Sequence, residues 1–238
     1  MNGLIGAVGF LTRIPVSAAA GEFAPSVKWF PVVGLGIGSV AGVVDWFVSS
    51  VAGATVGALA AVATAVAVTG ALHEDGLADT FDGLSSIRTR ERQLEIMKDS
   101  RLGTFGAAAL VLVLVSRVTL VTGLGSGAVG VVALAWAHGV SRAAAVAVMV
   151  LARTGGEGLG VAFATRLHRM PAASVAVLVA AGGWWVVGGD LGWALLAVAF
   201  GPGFIWLWAH RRIGAVTGDV LGACQQLALV GALGAIGA

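Results

Sequence analysis

Seven stretches of this chain each run for about 20 residues with scarcely a charge. That is the length at which an α-helix, rising about 1.5 Å per residue, crosses the roughly 30 Å hydrocarbon core of a bilayer. They lie at about 30–50, 53–72, 106–122, 127–152, 172–188, 191–210 and 221–238. Composition agrees: 58% of the 238 residues are hydrophobic, 11% are charged and the mean hydropathy is +0.96, whereas a soluble domain carries about a quarter charged residues. The sequence is therefore read as all-α, a polytopic integral membrane bundle of about seven helices forming one domain over residues 1–238, with no internal repeat and no separate soluble domain. The opening segment MNGLIGAVGFLTRIPV has no basic start and is broken by Arg13 and Pro15. It is expected to be a retained, short interfacial helix rather than a cleaved leader or a span. The single Cys224 leaves no internal disulfide to form.

Charge placement orients the bundle. Seven spans put the loops before the first, third, fifth and seventh helices on one face, and twelve of the fourteen Lys and Arg, from Arg13 to Arg212, fall there. The opposite loops carry none, and the other two, Arg117 and Arg142, lie inside predicted helices. By the positive-inside rule the charged face is cytoplasmic and the C-terminus is outside.

The acids are concentrated on the same face: seven of twelve fall between positions 73 and 99, beginning in LHEDGLADTFDGL. Asp75, Asp79 and Asp82 are spaced i, i+4 and i+7, which stacks three carboxylates on one side of a helix. Like charges that close repel each other unless a cation sits among them. Mg²⁺ typically takes one or two carboxylates plus substrate phosphate oxygens, so the stripe reads as a metal site for a phosphorylated substrate. A charge run is more ordinarily a solvated loop. Gly76, Gly83, Gly103 and Gly106 favour the metal reading, because they permit tight turns and close backbone approach to a ligand.

Downstream, TRERQLEIMKD has the composition of a short interfacial helix with Thr89 as N-cap and Leu94 and Met97 on one side. In KDSRLGTFG, Lys98 and Arg101 offer donors to phosphate or serve as positive-inside anchors, and Ser100 or Thr104 is placed to cap the next helix, whose amides form an anion site. Within the spans, His138 and Arg142 stand at i, i+4 and Arg117 lies alone; intramembrane ionisable groups are functional candidates by default. Arg142 reads as a phosphate ligand or as an internal neutraliser, Arg117 as a snorkelling side chain. Glu157 and Asp219 fall on the charged face, and Asp45 has no assigned role.

HEDGLADTFDG together with KDSRLGTFG resembles the signature of the cobalamin synthase family, the adenosylcobinamide-GDP ribazoletransferases. The likeness extends over nearly the whole chain, through FLTRIPV, FPVVGLGIG, the Ser141-Arg142 pair, EGLG from Glu157 and TGDVLGA from Thr217. Glu74 departs from it, standing where an apolar residue is expected. The resemblance implies the last assembly step of coenzyme B12: a ribose hydroxyl of α-ribazole, or of its 5′-phosphate, attacks the phosphorus nearer cobinamide in adenosylcobinamide-GDP, and GMP leaves. It implies magnesium (Mg²⁺) as cofactor and a place in the bacterial inner membrane. On this reading Asp75, Asp79, Asp82 and Asp99 hold the metal, and Asp82 and Asp99 act at the reacting centre. His73 orients or relays the hydroxyl proton, or is a structural hydrogen-bonder. Lys98, Arg101, Gly103, Arg142, Glu157 and Asp219 bind substrate. The expected partners are those two small molecules and the bilayer, with no nucleic acid; a homo-oligomer or association with other cobalamin-assembly enzymes is left open.

Other readings fit less well. CDP-alcohol phosphotransferases want a DGxxAR register, but Asp82-Gly83 is followed by LSSIR. Prenyltransferases want two aspartate-rich motifs, and a cation transporter places its sites near the bilayer midplane rather than at one surface. The topology is checked by labelling: a cysteine replacing Arg90 should react only from the cytoplasmic side, and a reporter fused after Ala238 should be exported. The reverse pattern would overturn the orientation.

Overall fold

A computed structural model describes residues 2–16, 24–152 and 169–237. Its helices in chain order are α1 (Asn2–Leu11), a 3₁₀ turn (Ala24–Trp29), α2 (Phe30–Ala52), α3 (Ala54–Thr69), α4 (Leu72–Ser85), α5 (Arg90–Met97) and α6 (Thr104–Gly123). Then follow α7 (Ala128–Leu151), α8 (Arg169–Ala181), α9 (Trp184–Val187), α10 (Leu191–Ile213) and α11 (Gly218–Ile236). No strand occurs among the described residues. The all-helical, polytopic membrane architecture is as the sequence implies.

The count of spans differs from seven. Among the described residues, five segments are long and apolar enough to cross a bilayer, six when α3 and α4 are taken as one broken span. Two local breaks explain the difference. The second expected span stops at Thr69, because Gly70 and Ala71 both adopt left-handed backbone (φ 63° and 58°) and turn α4 by 88° away from α3. The fifth expected span is not one helix: after the 13 residues of α8 the chain breaks at Gly182 and Gly183, and the apolar stretch 171–213 continues through α9 into α10.

Helix α1 is too short to span and lies against the 3₁₀ turn and α2, burying Ala7 and Leu11 and stacking Phe10 on Phe30 at 5.5 Å. It is the short, non-spanning helix that the sequence implies.

Between helices in lipid there is little hydrophobic driving force, so close packing through small residues does the work. Helix α2 brings Gly34, Gly38 and Gly42 to one side, where a Cβ would run into the α7 backbone at His138, Leu134 and Val131. The α2–α7 seam is the most extensive in the molecule and fixes the stretch of α7 that carries His138 and Arg142. Outward, Phe47, Val111, Leu112, Val115 and Phe200 are exposed, as lipid-facing residues should be. Trp185 and Trp193 stand exposed at the end opposite the charges, in the manner of an interfacial aromatic belt. At the charged end Arg13 donates its amide to the Val68 carbonyl, and Arg212 donates to the Leu84 and Ser86 carbonyls, closing the C-terminus of α4 with a cation.

The seam makes a test. Gly38→Val should lower thermal stability in detergent by about 1–3 kcal/mol or more, the cost of overpacking, while Gly36→Ala, with open space around its Cβ, should be neutral or slightly stabilising. Equal effects would remove the seam from the account.

Candidate active site

Helix α4 is the centre of the site, and its two faces explain its sequence. His73, Glu74, Leu77, Ala78, Thr80 and Leu84 are buried against neighbouring helices, whereas Asp75, Asp79 and Asp82 form the accessible stripe. The i, i+4, i+7 spacing therefore gives the arrangement expected from it. Gly76 and Gly222 bring α4 and α11 into backbone contact, since a Cβ on Gly76 would lie 3.0 Å from the Asp219 Cα. That contact carries Asp219 to the stripe, so Asp79 feels the charges of Asp75, Asp219 and Asp82 together.

Asp82 has a second attachment. Its carboxylate accepts from the Gly103 amide at 2.7 Å and the Gly106 amide at 2.8 Å, capping the start of α6 from another helix. Neither Ser100 nor Thr104 caps α6, whose N-cap is Gly103 without a side-chain bond. The charge of Asp82 favours the positive end of the α6 dipole. A Cβ at either glycine would strike the Asp82 carboxylate, so the close approach these glycines allow is to that side chain, as that of Gly76 is to α11 and that of Gly83 is to Met97.

Helix α5 follows the expected pattern. Thr89 accepts from the Arg92 amide, Met97 is buried, and Gln93 donates from Nε2 to the Ser86 carbonyl at 2.9 Å. Arg101 then folds back on Asp99, donating from Nε to Oδ1 at 2.9 Å and from a terminal nitrogen to Oδ2 at 2.6 Å. These hydrogen bonds hold the exposed Asp99 carboxyl down to about 2, so it is ionised at any physiological pH.

Two cavities flank α4. On one side a polar groove of about 470 Å³ is lined by Asp75, Asp79, Lys98, Asp99, Ser100 and Arg101, with Glu74 and Leu110 among its other walls. On the other side a mainly apolar chamber of about 190 Å³ contains His73, Asp75, Arg142, Asp219 and Gln225. Asp75 reaches both. The structure thus brings together Asp75, Asp79, Lys98, Asp99 and Arg101 in the groove and His73, Arg142 and Asp219 in the chamber. Asp82 and Gly103 line a further, open cavity next to the groove that shares Asp99 and Arg101 with it. Glu157 lies outside the described residues.

Glu74 and Arg117 find each other. Arg117 does not snorkel: it is 2% exposed and donates to Glu74 Oε1 at 2.7 Å and to Gln226 Oε1 at 3.2 Å. The sequence holds a signal for this, because a cation and an acid that both fall within apolar surroundings must be paired; what it lacks is the distance of 43 residues between them. Arg142, also 2% exposed, donates to the His138 carbonyl at 3.0 Å, and Gln225 donates to Ser141 Oγ at 3.0 Å. The two glutamines escape a reading based on charge. Asp45 sits far from the site, accepting from Ser49 beside Gly57.

A magnesium ion is compatible with this donor set. Among the described residues no three His, Cys, Asp or Glu side chains are grouped where they could hold one ion: Asp82 is taken up by the Gly103 and Gly106 amides and Asp99 by Arg101, which leaves the one or two carboxylates that Mg²⁺ typically takes besides phosphate oxygens and water. Asp75 and Asp79 make no ion pair among the described residues.

An acidic helix face and a basic strip, opening at one end of a polytopic bundle, define a membrane protein equipped to handle a phosphorylated substrate at the bilayer surface. Residues 3–237 match the model of the family described as Cobalamin-5-phosphate synthase, and the chain belongs to that family. It is 40% identical to the adenosylcobinamide-GDP ribazoletransferase of Leptothrix cholodnii, over 93% of this chain and 89% of that one. It is 38% identical to the enzyme of the same name from Bradyrhizobium diazoefficiens, over 92% and 87%, and 37% identical to that of Klebsiella pneumoniae subsp. pneumoniae, over 93% of each. No solved structure matches the chain.

The buried ion pair makes the next test. Arg117→Leu or Glu74→Leu alone should destabilise the protein by about 3–5 kcal/mol, because each strands a buried charge. The double variant should recover most of that loss in thermal unfolding. Additive losses would show that the two side chains act separately.

Proposed function

We propose that this protein is an adenosylcobinamide-GDP ribazoletransferase, joining adenosylcobinamide-GDP to α-ribazole or its 5′-phosphate in the last steps of coenzyme B12 synthesis. The observation that carries the reading is the groove in which the Asp75–Asp79 face of α4 meets Lys98 and Arg101, in a chain of this family. A ribose hydroxyl oxygen bonds to the phosphorus nearer cobinamide as the bridging P–O bond breaks. GMP departs with the bridging oxygen, and the hydroxyl proton leaves to a base.

Such a transfer needs the reactants aligned and the diphosphate charge neutralised. Asp75 and Asp79 hold Mg²⁺, which when bound neutralises phosphate oxygens; Asp82 and Asp99 border them. Asp82, by capping α6, also fixes the α4–α6 angle and with it the groove's width. Lys98 and Arg101 bind the diphosphate, with the Gly103 segment below them. Arg142 and Asp219 meet the acceptor from the chamber side, and His73 stands beside Asp75 to orient or relay the hydroxyl proton. Glu157 joins the substrate-binding set on the strength of the sequence alone. The protein works as one catalytic domain in the bacterial inner membrane, its groove on the cytoplasmic face, where the basic residues gather.

Purified protein given both substrates should release GMP only with Mg²⁺ present. Asp75→Ala or Asp79→Ala should lower kcat more than about a hundredfold, since metal stabilisation of transition-state charge is worth several kcal/mol. Arg101→Ala should mainly raise KM for adenosylcobinamide-GDP by about 10- to 100-fold, the loss of one charge-assisted contact of about 1.5–3 kcal/mol. Identical responses of Arg101→Ala and Asp79→Ala to substrate and to Mg²⁺ would refute the division of labour, and near-normal activity of both aspartate variants would refute the metal assignment.

A further inference from the structure

The chamber behind α4 is built unlike the groove in front of it. Its walls are Phe10, Leu11, Phe30, Leu72, Val146 and Met149 from α1, α2, α4 and α7. Into this apolar space the sequence places two polar side chains that are almost wholly buried, Arg142 at 2% and Gln225 at 1% exposure. Each keeps one polar atom without a partner, Arg142 Nε and Gln225 Oε1. A buried donor or acceptor left unsatisfied is costly enough that native proteins rarely keep one without a reason. The two side chains that keep an unpartnered donor and an unpartnered acceptor both line one apolar cavity, which suits a ligand with a broad apolar body and hydrogen-bonding groups toward which they can turn. At the same cavity, Asp75 and Asp219 provide acceptors suited to hydroxyl groups.

We infer that this chamber is the acceptor subsite, seating a nucleoside by an apolar two-ring base between α1, α2 and α7, with its ribose turned toward Asp75 and the groove. The inference rests on the ribazoletransferase reading, which supplies a benzimidazole riboside as acceptor, and adds where and by which residues it is held. An apolar cavity of about 150 Å³ accommodates one benzene ring, so 190 Å³ with an open mouth takes a fused pair of rings and leaves the sugar at the rim. The base has no charge to offer the groove, and the diphosphate has no apolar surface to offer the chamber. Asp75, the wall residue common to both cavities, then marks the place where the acceptor's hydroxyl meets the donor's phosphorus. Arg142 Nε and Gln225 Oε1 select the acceptor by pairing with its ring nitrogen or sugar oxygens, while the stacked Phe10–Phe30 pair backs the base.

The test is equilibrium dialysis of radiolabelled α-ribazole against the purified full chain in detergent, with empty micelles as blank and without divalent cation or adenosylcobinamide-GDP. Wild type should bind saturably. Met149→Trp, which fills the chamber, and Leu72→Trp at its exposed rim should each weaken binding about tenfold or more. Arg101→Ala, in the groove, should bind as wild type does. In turnover the two chamber variants should raise KM for α-ribazole and leave that for adenosylcobinamide-GDP unchanged, and Arg142→Lys, which keeps the charge without the Nε donor, should do the same. Unaltered α-ribazole binding in both tryptophan variants, or a rise in KM for adenosylcobinamide-GDP instead, overturns the assignment. So does loss of a co-purifying lipid from Met149→Trp with α-ribazole binding intact, which would give the chamber to an acyl chain. Failure of wild type to form any product would instead refute the ribazoletransferase reading, so the two failures are distinguishable.

Discussion

A charge withdrawn from water without a partner costs several kcal/mol, and helix α4 carries five ionisable side chains, two of them buried, into a largely apolar bundle. How those five are accommodated determines the rest of the molecule. At depth Glu74 meets Arg117, with Gln226 sharing the arginine. Near the surface Asp82 takes two backbone amides at the start of α6. These attachments fix α4 along α6 at both ends, while the shared glycine contact holds it against α11. With His73 and Glu74 directed inward, Asp75 and Asp79 are left without an ion-pair partner among the described residues, and they line one groove with Lys98 and Arg101.

Much of this was legible in the sequence wherever the signal was local. Apolar length announced a polytopic helical bundle, the four-residue rhythm of Asp75 and Asp79 announced a single acidic face, and Thr89 announced the start of α5. The misses in side-chain pairing are long-range. Pairing of Glu74 with Arg117 spans 43 residues, and Asp82 reaches 21 and 24 residues forward to its amides; no periodicity encodes such partners. For the same reason, the glycines around the acids looked like ligand-facing positions when they are contacts between helices. The span count erred where a run of suitable composition is interrupted by backbone conformation, at Gly70–Ala71 and at Gly182–Gly183, because hydropathy is blind to φ. Ala71 in particular is a non-glycine residue in the left-handed region, a costly conformation that nothing about an alanine foretells.

The two sides of α4 serve two environments. An acid stripe alone would be a sink for cations, and an apolar cavity alone would be a place for lipid. Their separation by the thickness of one helix, with Asp75 shared, lets a highly charged molecule and a largely apolar one approach each other without either entering surroundings that repel it. Because α4 is both walls at once, its position cannot be adjusted for one cavity without altering the other.

The brevity of α3 has a consequence for the lipid as well as for the protein. Sixteen residues reach only about 24 Å, several ångströms less than the hydrocarbon thickness of an average bilayer. Lipids bordering this helix must shorten or tilt to match it, drawing the headgroup layer inward beside the Gly70–Ala71 corner. The acids of α4 begin only a few residues beyond that corner, so thinning there would shorten the path by which water and phosphorylated molecules reach them.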